Sequence, residues 1–229
     1  MRKVALTFVA VLVMALAGYA SDCQNVTFDN YMPSGFSCGV MGSTYSNFNY
    51  NYSSNPPGYG LPPGSVMVDP IFDPARPGLE FSGGWFASTG SGVLEQDSLF
   101  QFTVTSPSPI SELSLAISGV GFLGTGSVTV DEVVCLGAML PECSGGTVAT
   151  LHVYDSSSGE ELYDSINFTG VNLIDIDKDV MVQAGTDGSA ELSLVTNQFS
   201  ASVPEPGTLS MMGFGIVALA GFARRMLNL

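Results

Sequence analysis

The chain has 229 residues and carries 21 acidic against 6 basic side chains, a formal net charge of −15 at pH 7. Arg2, Lys3, Arg224 and Arg225 lie at the two ends, so residues 21–203 hold 20 of the 21 acids against Arg76 and Lys178 alone, a net −18. A surface of that sign repels phosphate backbones and anionic lipid headgroups, which sets nucleic acid aside as a partner. It suits solubility outside the cell and is compatible with divalent cations.

The N-terminus reads as an export signal. Met1-Arg2-Lys3 is a basic start, Val4 to Ala17 is an apolar run of 14 residues, and Gly18 and Ala20 place small residues where a signal peptidase inspects them. Cleavage is expected after Ala20, with signal peptidase as the partner. The run falls short of the ~20 apolar residues of a retained membrane span. Cys23 follows Ala20-Ser21-Asp22, which lacks the context of a lipoprotein anchor. Removing 1–20 and 204–229 leaves 21–203 as one extracytoplasmic domain.

Cys23, Cys38, Cys135 and Cys143 are the 4 cysteines. In an oxidising compartment they predict disulfides, and Cys23–Cys38 with Cys135–Cys143 is the simplest of the possible connectivities. The alternative, a zinc site, lacks any CxxC pair, and the single histidine is distant from both pairs.

Along 21–203 the periodicity is that of strands. Phe100, Phe102 and Val104 alternate with polar neighbours, as do Leu113, Leu115 and Ile117, then Val128 and Val130, then Ala190, Leu192 and Leu194. These apolar residues, Ala190 apart, are expected in the core. Turn chemistry is read at Ser106-Pro107-Ser108-Pro109, Gly119 to Gly126, Ser156 to Gly159 and Gly185 to Gly188. Asn55 to Gly64 is proline-rich and reads as a long loop. The expected fold class is all-β: an antiparallel β-sandwich or jelly-roll-like body, flanked by an N-terminal signal helix and a C-terminal single transmembrane helix.

Candidate chemistry is sparse, no cofactor is expected, and the chain is read as a non-enzyme. Asp175, Asp177 and Asp179 alternate with Ile174 and Ile176, so on a strand they share one face at ~6.7 Å intervals and form a candidate cation ladder. The calcium-loop pattern fails, with Val180 and Thr186 where Gly and Glu are required. Solvated protection of a strand edge accounts for the three aspartates and is the reading taken. His152 shares parity with Thr150 and Tyr154 and is expected to face solvent; no GxSxG elbow accompanies it. Acid pairs such as Glu160-Glu161 and Asp131-Glu132 arise from composition alone. Phe48, Tyr50 and Tyr52 fall on one face of a strand with Asn47, Asn49 and Asn51 on the other. That stripe is a candidate sugar platform and, on the reading taken, a core stripe. Sequons stand at Asn25, Asn51 and Asn167.

The C-terminus carries the most specific signal. Leu209 to Ala223 are 15 residues, apolar apart from Ser210 and small glycines. As a helix they reach ~22 Å, and with Gly207 added and Arg224 and Arg225 snorkelling they form a short membrane span. The arginines then lie on the cytoplasmic side, and the body lies outside. Pro204 and Pro206 keep the backbone around Glu205 extended and open to an enzyme. Pro204-Glu205-Pro206, the small-residue apolar helix and Arg224-Arg225 together resemble the PEP-CTERM sorting signal of bacterial envelopes. The resemblance covers 203–229 and differs from the usual tail in ending Met226-Leu227-Asn228-Leu229 after only two arginines. It implies that an exosortase, a membrane-embedded cysteine transpeptidase-like enzyme of exopolysaccharide-producing bacteria, recognises the chain as substrate. The function expected is that of an exported, surface-sorted structural or matrix protein in contact with exopolysaccharide. A carbohydrate- or calcium-binding module is the first alternative, and a secreted hydrolase the second.

Overall fold

The computed structural model describes residues 21–201, and the expected signal peptide, membrane helix and sorting motif lie outside them. The described residues form twelve strands and two short 3-10 turns, at Phe28–Asn30 and Pro63–Ser65. The strands are β1 (Val26–Thr27), β2 (Ser37–Val40), β3 (Ser43–Asn55), β4 (Met67–Ile71), β5 (Gly78–Ser88), β6 (Glu95–Ser118), β7 (Gly121–Leu123), β8 (Ser127–Leu136), β9 (Thr147–Ser156), β10 (Gly159–Glu161), β11 (Tyr163–Gln183) and β12 (Ser189–Ala201). All named strand pairs are antiparallel.

Two long strands organise the sandwich. The first half of β6 pairs with β3, and the second half with β12. β11 follows β6 along both halves, and its C-terminal half also pairs with β8. One layer is therefore β2, β3, the start of β6, the end of β11, β8, β9 and β10. The other is β1, β4, β5, β12, the end of β6 and the start of β11, with β7 continuing along β12. Aromatic contacts join the layers: Phe81 on β5 lies 5.0 Å from Phe100 and 5.8 Å from Phe102 on β6, and Tyr45 on β3 lies 6.1 Å from Phe199 on β12.

The strand alternations predict the core well: Phe100, Phe102, Val104, Leu113, Leu115, Ile117, Val128, Val130 and Leu192 are all buried. Leu194 is only half-buried, because pairing with β5 slips by one residue between Leu192 and Leu194. Beyond the slip the inward set becomes Val195, Asn197 and Phe199. The expected turn at Ser106 to Pro109 is instead part of β6. Register on β11 jumps there, from Leu173 opposite Thr105 to Val171 opposite Ile110, so exposed Pro107 and Pro109 fall in a stretch the ladder skips. That irregularity is where β6 passes from one layer to the other.

Both expected disulfides are formed, Cys23–Cys38 and Cys135–Cys143. The first ties the N-terminal segment to β2. The second ties the end of β8 to the following loop, which folds over the outer face of β11.

Candidate functional site

The aromatic stripe belongs to the core for two of its three rings. Asn47 takes a left-handed φ of +56° at an irregularity in β3, after which Phe48 and Tyr50 point inward and Asn49 and Asn51 outward. Phe48 packs on Tyr31 at 4.9 Å and on Phe102 at 5.8 Å. The Tyr50 hydroxyl donates to Leu61 O or Ser98 Oγ, each 2.8 Å away, and its pKa is pushed up to about 12, mainly by burial. Neither ring offers a face to a sugar. Tyr52, at the strand's far end, is 50% exposed and stacks on Tyr50.

Asp175, Asp177 and Asp179 do share the outer face of β11, but that strand lies between β6 and β8. This corrects the edge-protection reading: the aspartates stand in the middle of a layer. Each has different work there. Asp175 is buried under the disulfide-pinned loop and accepts from Thr103 Oγ1 at 2.5 Å and Leu140 N–H at 2.9 Å. Asp177 accepts from Gln101 Nε2 at 3.1 Å, and Gln101 in turn accepts from Asn49 Nδ2 at 2.8 Å. Asp179 lies within hydrogen-bond reach of Asp97, and its pKa is pushed up to about 7. Desolvation is the first cause, followed by the bond to Asp97 and the charges of Asp97, Asp131 and Asp177. Among the described residues no group of three His, Cys, Asp or Glu side chains is placed to hold a metal ion.

Beside Asp175 and Asp177 the loop leaves a cleft of about 500 Å³, bounded also by Asn47, Gln101, Val133 and Met139. It offers amide and carboxylate groups against apolar walls. His152 lies off this cleft on β9, half-exposed, with Nδ1 2.7 Å from Asp131 and its ring against Tyr154. Arg76 pairs with Glu112 at 2.7 Å on the surface.

The other basic residue of the body is inside. Lys178 is fully buried, and its Nζ contacts Glu132 on β8 and Asn197 Oδ1 on β12. Asn197 Nδ2 donates to both Glu132 oxygens, at 3.0 and 2.9 Å. Gly78 lets β5 run against this place, since a Cβ there would sit 1.9 Å from Asn197 O. Burial pulls the Lys178 pKa down, outweighing the charge and hydrogen bond of Glu132, which push it up. No motif announces this cluster. Its signal was parity: Lys178 alternates with outward aspartates and shares the inward face of Ile176 and Val180, as Glu132 does with Val130 and Val134.

Residues 202–225 match the PEP-CTERM protein-sorting motif. The match spans Pro204-Glu205-Pro206 and ends at Arg225, and a sorting motif of this kind implies export and membrane-associated sorting by an exosortase. Comparison with curated proteins gives no match. Among solved structures, the chain is similar to TmCBM61 in complex with β-1,4-galactotriose, at 11% identity and TM-score 0.34, over 76% of this chain and 98% of that one. It is also similar to the enzymatically active domain of bacteriophage CBA120 tailspike protein 4, at 10% identity and TM-score 0.28, over 66% of this chain and 19% of that one. A third is the low-affinity xylan-binding module CBM86 from Roseburia intestinalis, at 13% identity and TM-score 0.23, over 66% of this chain and 96% of that one.

Proposed function

We propose that the chain is an exported envelope protein of an exopolysaccharide-producing bacterium, held in the inner membrane by residues 209–223 until an exosortase processes it near Pro204-Glu205-Pro206. Its body then serves a non-catalytic structural or matrix role in the periplasm, at the cell surface or in the extracellular matrix. The single observation that carries this reading is the sorting-motif match at 202–225. Two disulfides and a sandwich with an acidic exterior are in keeping with life outside the cytoplasm. The non-catalytic role draws support from the engagement of Asp175, which accepts from Thr103 Oγ1 and Leu140 N–H. Replacing Pro204-Glu205-Pro206 by three alanines is expected to leave export intact and trap full-length protein in the inner membrane. Normal passage of the variant to the surface would defeat the proposal.

The cleft beside Asp177 favours a second reading, a carbohydrate-binding body, with hydroxyl groups bonding Gln101 and Asp177 instead of stacking on the buried rings. A glycan array probed with the protein and its Asp177→Ala variant separates the two readings. Binding lost in the variant supports the second, and an empty array opposes it.

A further inference from the structure

Lys178, Glu132 and Asn197 bring an amine, a carboxyl group and a carboxamide together with each residue 0% exposed. A buried ion pair is often no more stabilising than well-packed apolar groups of the same volume, so stability alone gives little reason for three such groups to meet in a core. Their arrangement is that of reactants. Lys178 Nζ contacts Asn197 Oδ1, the oxygen bonded to the carboxamide carbon Cγ. Glu132 touches both the incoming nitrogen, through Oε2, and the nitrogen that would leave, Asn197 Nδ2. The Phe81 ring, with its centroid 6.0 Å from Nζ, adds an apolar wall.

We propose that Lys178 and Asn197 join in an intramolecular amide cross-link, with Glu132 carrying the protons, so that the cluster is a self-modification site linking the two layers. The Lys178 ammonium first gives a proton to Glu132. The freed electron pair on Nζ attacks Asn197 Cγ, and the carbonyl π electrons move onto oxygen. As the tetrahedral intermediate collapses, the Cγ–Nδ2 bond breaks with its electron pair on Nδ2. Glu132 protonates that nitrogen, which leaves as ammonia, and takes up a proton from Nζ. The products are a secondary amide, ammonia and a neutral Glu132 carboxyl group. No oxidant or co-reactant enters, and the buried charge pair is gone. Burial favours the neutral, nucleophilic form of Lys178. Exclusion of water leaves Nζ without a competing nucleophile at Asn197 Cγ. Holding the groups in contact replaces a bimolecular encounter with a unimolecular one. The bond would join β11 to β12, residues 19 apart in sequence and on opposite layers.

The test is a peptide map of the full-length protein purified folded from a bacterial host, then unfolded, reduced and treated with an amine-acetylating reagent. The expected result is a branched peptide containing Lys178 and Asn197, lighter than its two linear parts by one ammonia, with Lys178 unacetylated. Linear peptides carrying acetylated Lys178 and an unchanged Asn197, after prolonged incubation of the folded protein, would overturn the proposal. The Glu132→Gln variant keeps the side chain's shape and is expected to lose the branched peptide while Trp85 fluorescence shows it folded. A branched peptide at the unmodified protein's level in that variant would overturn the role of Glu132. Should the variant not fold, the map of the unmodified protein decides alone.

Discussion

Truncating Phe48 and Tyr52 separately measures how far the aromatic stripe of β3 is core. Phe48 is 7% exposed, with ring centroids of Phe28, Tyr31, Phe36 and Phe102 at 5.9, 4.9, 6.0 and 5.8 Å. Phe48→Ala removes a ring from a packed site that cannot fully close, a loss of about 3–5 kcal/mol. At roughly 2–4 °C per kcal/mol for a body of this size, Tm should fall by about 6–20 °C. Tyr52 is 50% exposed, and its ring lies 5.9 Å from Tyr50, so Tyr52→Ala should cost below about 1 kcal/mol. The assay is urea unfolding followed through Trp85, the single tryptophan, whose side chain is fully buried. The Phe48→Ala midpoint should drop with an unchanged slope, which marks lost stability and not a changed unfolded state. Equal small losses for both variants would refute the core assignment of the stripe.

Removing Cys23–Cys38, which closes 15 residues, should cost about 3 kcal/mol, and removing Cys135–Cys143, which closes 8, about 2.5 kcal/mol on the chain-entropy account. Urea midpoints of the paired Cys→Ala variants check the order, and alkylation of the non-reduced protein should find no free thiol. Asp179 supplies a pH dependence. Its folded pKa of about 7 exceeds the roughly 3.9 of an unfolded aspartate, so the native state binds the extra proton between those values. Stability from this group is therefore greatest in acid and is lost as pH rises through about 7. The urea midpoint should fall from pH 5 to pH 8, and Asp179→Asn should flatten that slope and raise the midpoint at pH 8. An unchanged profile in the variant would reject the Asp97–Asp179 coupling.

Period-two alternation made most inward faces of the sandwich legible, because each strand carries its own record of which side is buried. It failed where pairing partners change the outcome. Leu194 keeps the alternation of Leu192 in sequence, yet the slip against β5 turns Val195 inward. Ser106 to Pro109 has turn composition, but a strand bending between layers accommodates prolines where the ladder lapses. The three aspartates of β11 gave their shared face correctly and their place in the sheet wrongly, since neighbours far off in the chain decide whether a strand is central. Both disulfides followed from short loops. The Lys178 cluster was hidden for a different reason: its members lie on three strands, and each alone looks like an ordinary surface residue. A charge count takes Lys178 without regard to its place on the strand, whereas its parity with Ile176 and Val180 marks it as inward.

The sorting account is tested most directly by C-terminal peptide mapping of the mature protein from a host with exosortase and from the same host without it. A C-terminus near Pro204-Glu205-Pro206 is expected when the exosortase is present, and peptides extending through Leu229 when it is absent. Peptides reaching Leu229 in both hosts would make residues 209–229 an ordinary anchor and rule out processing by an exosortase.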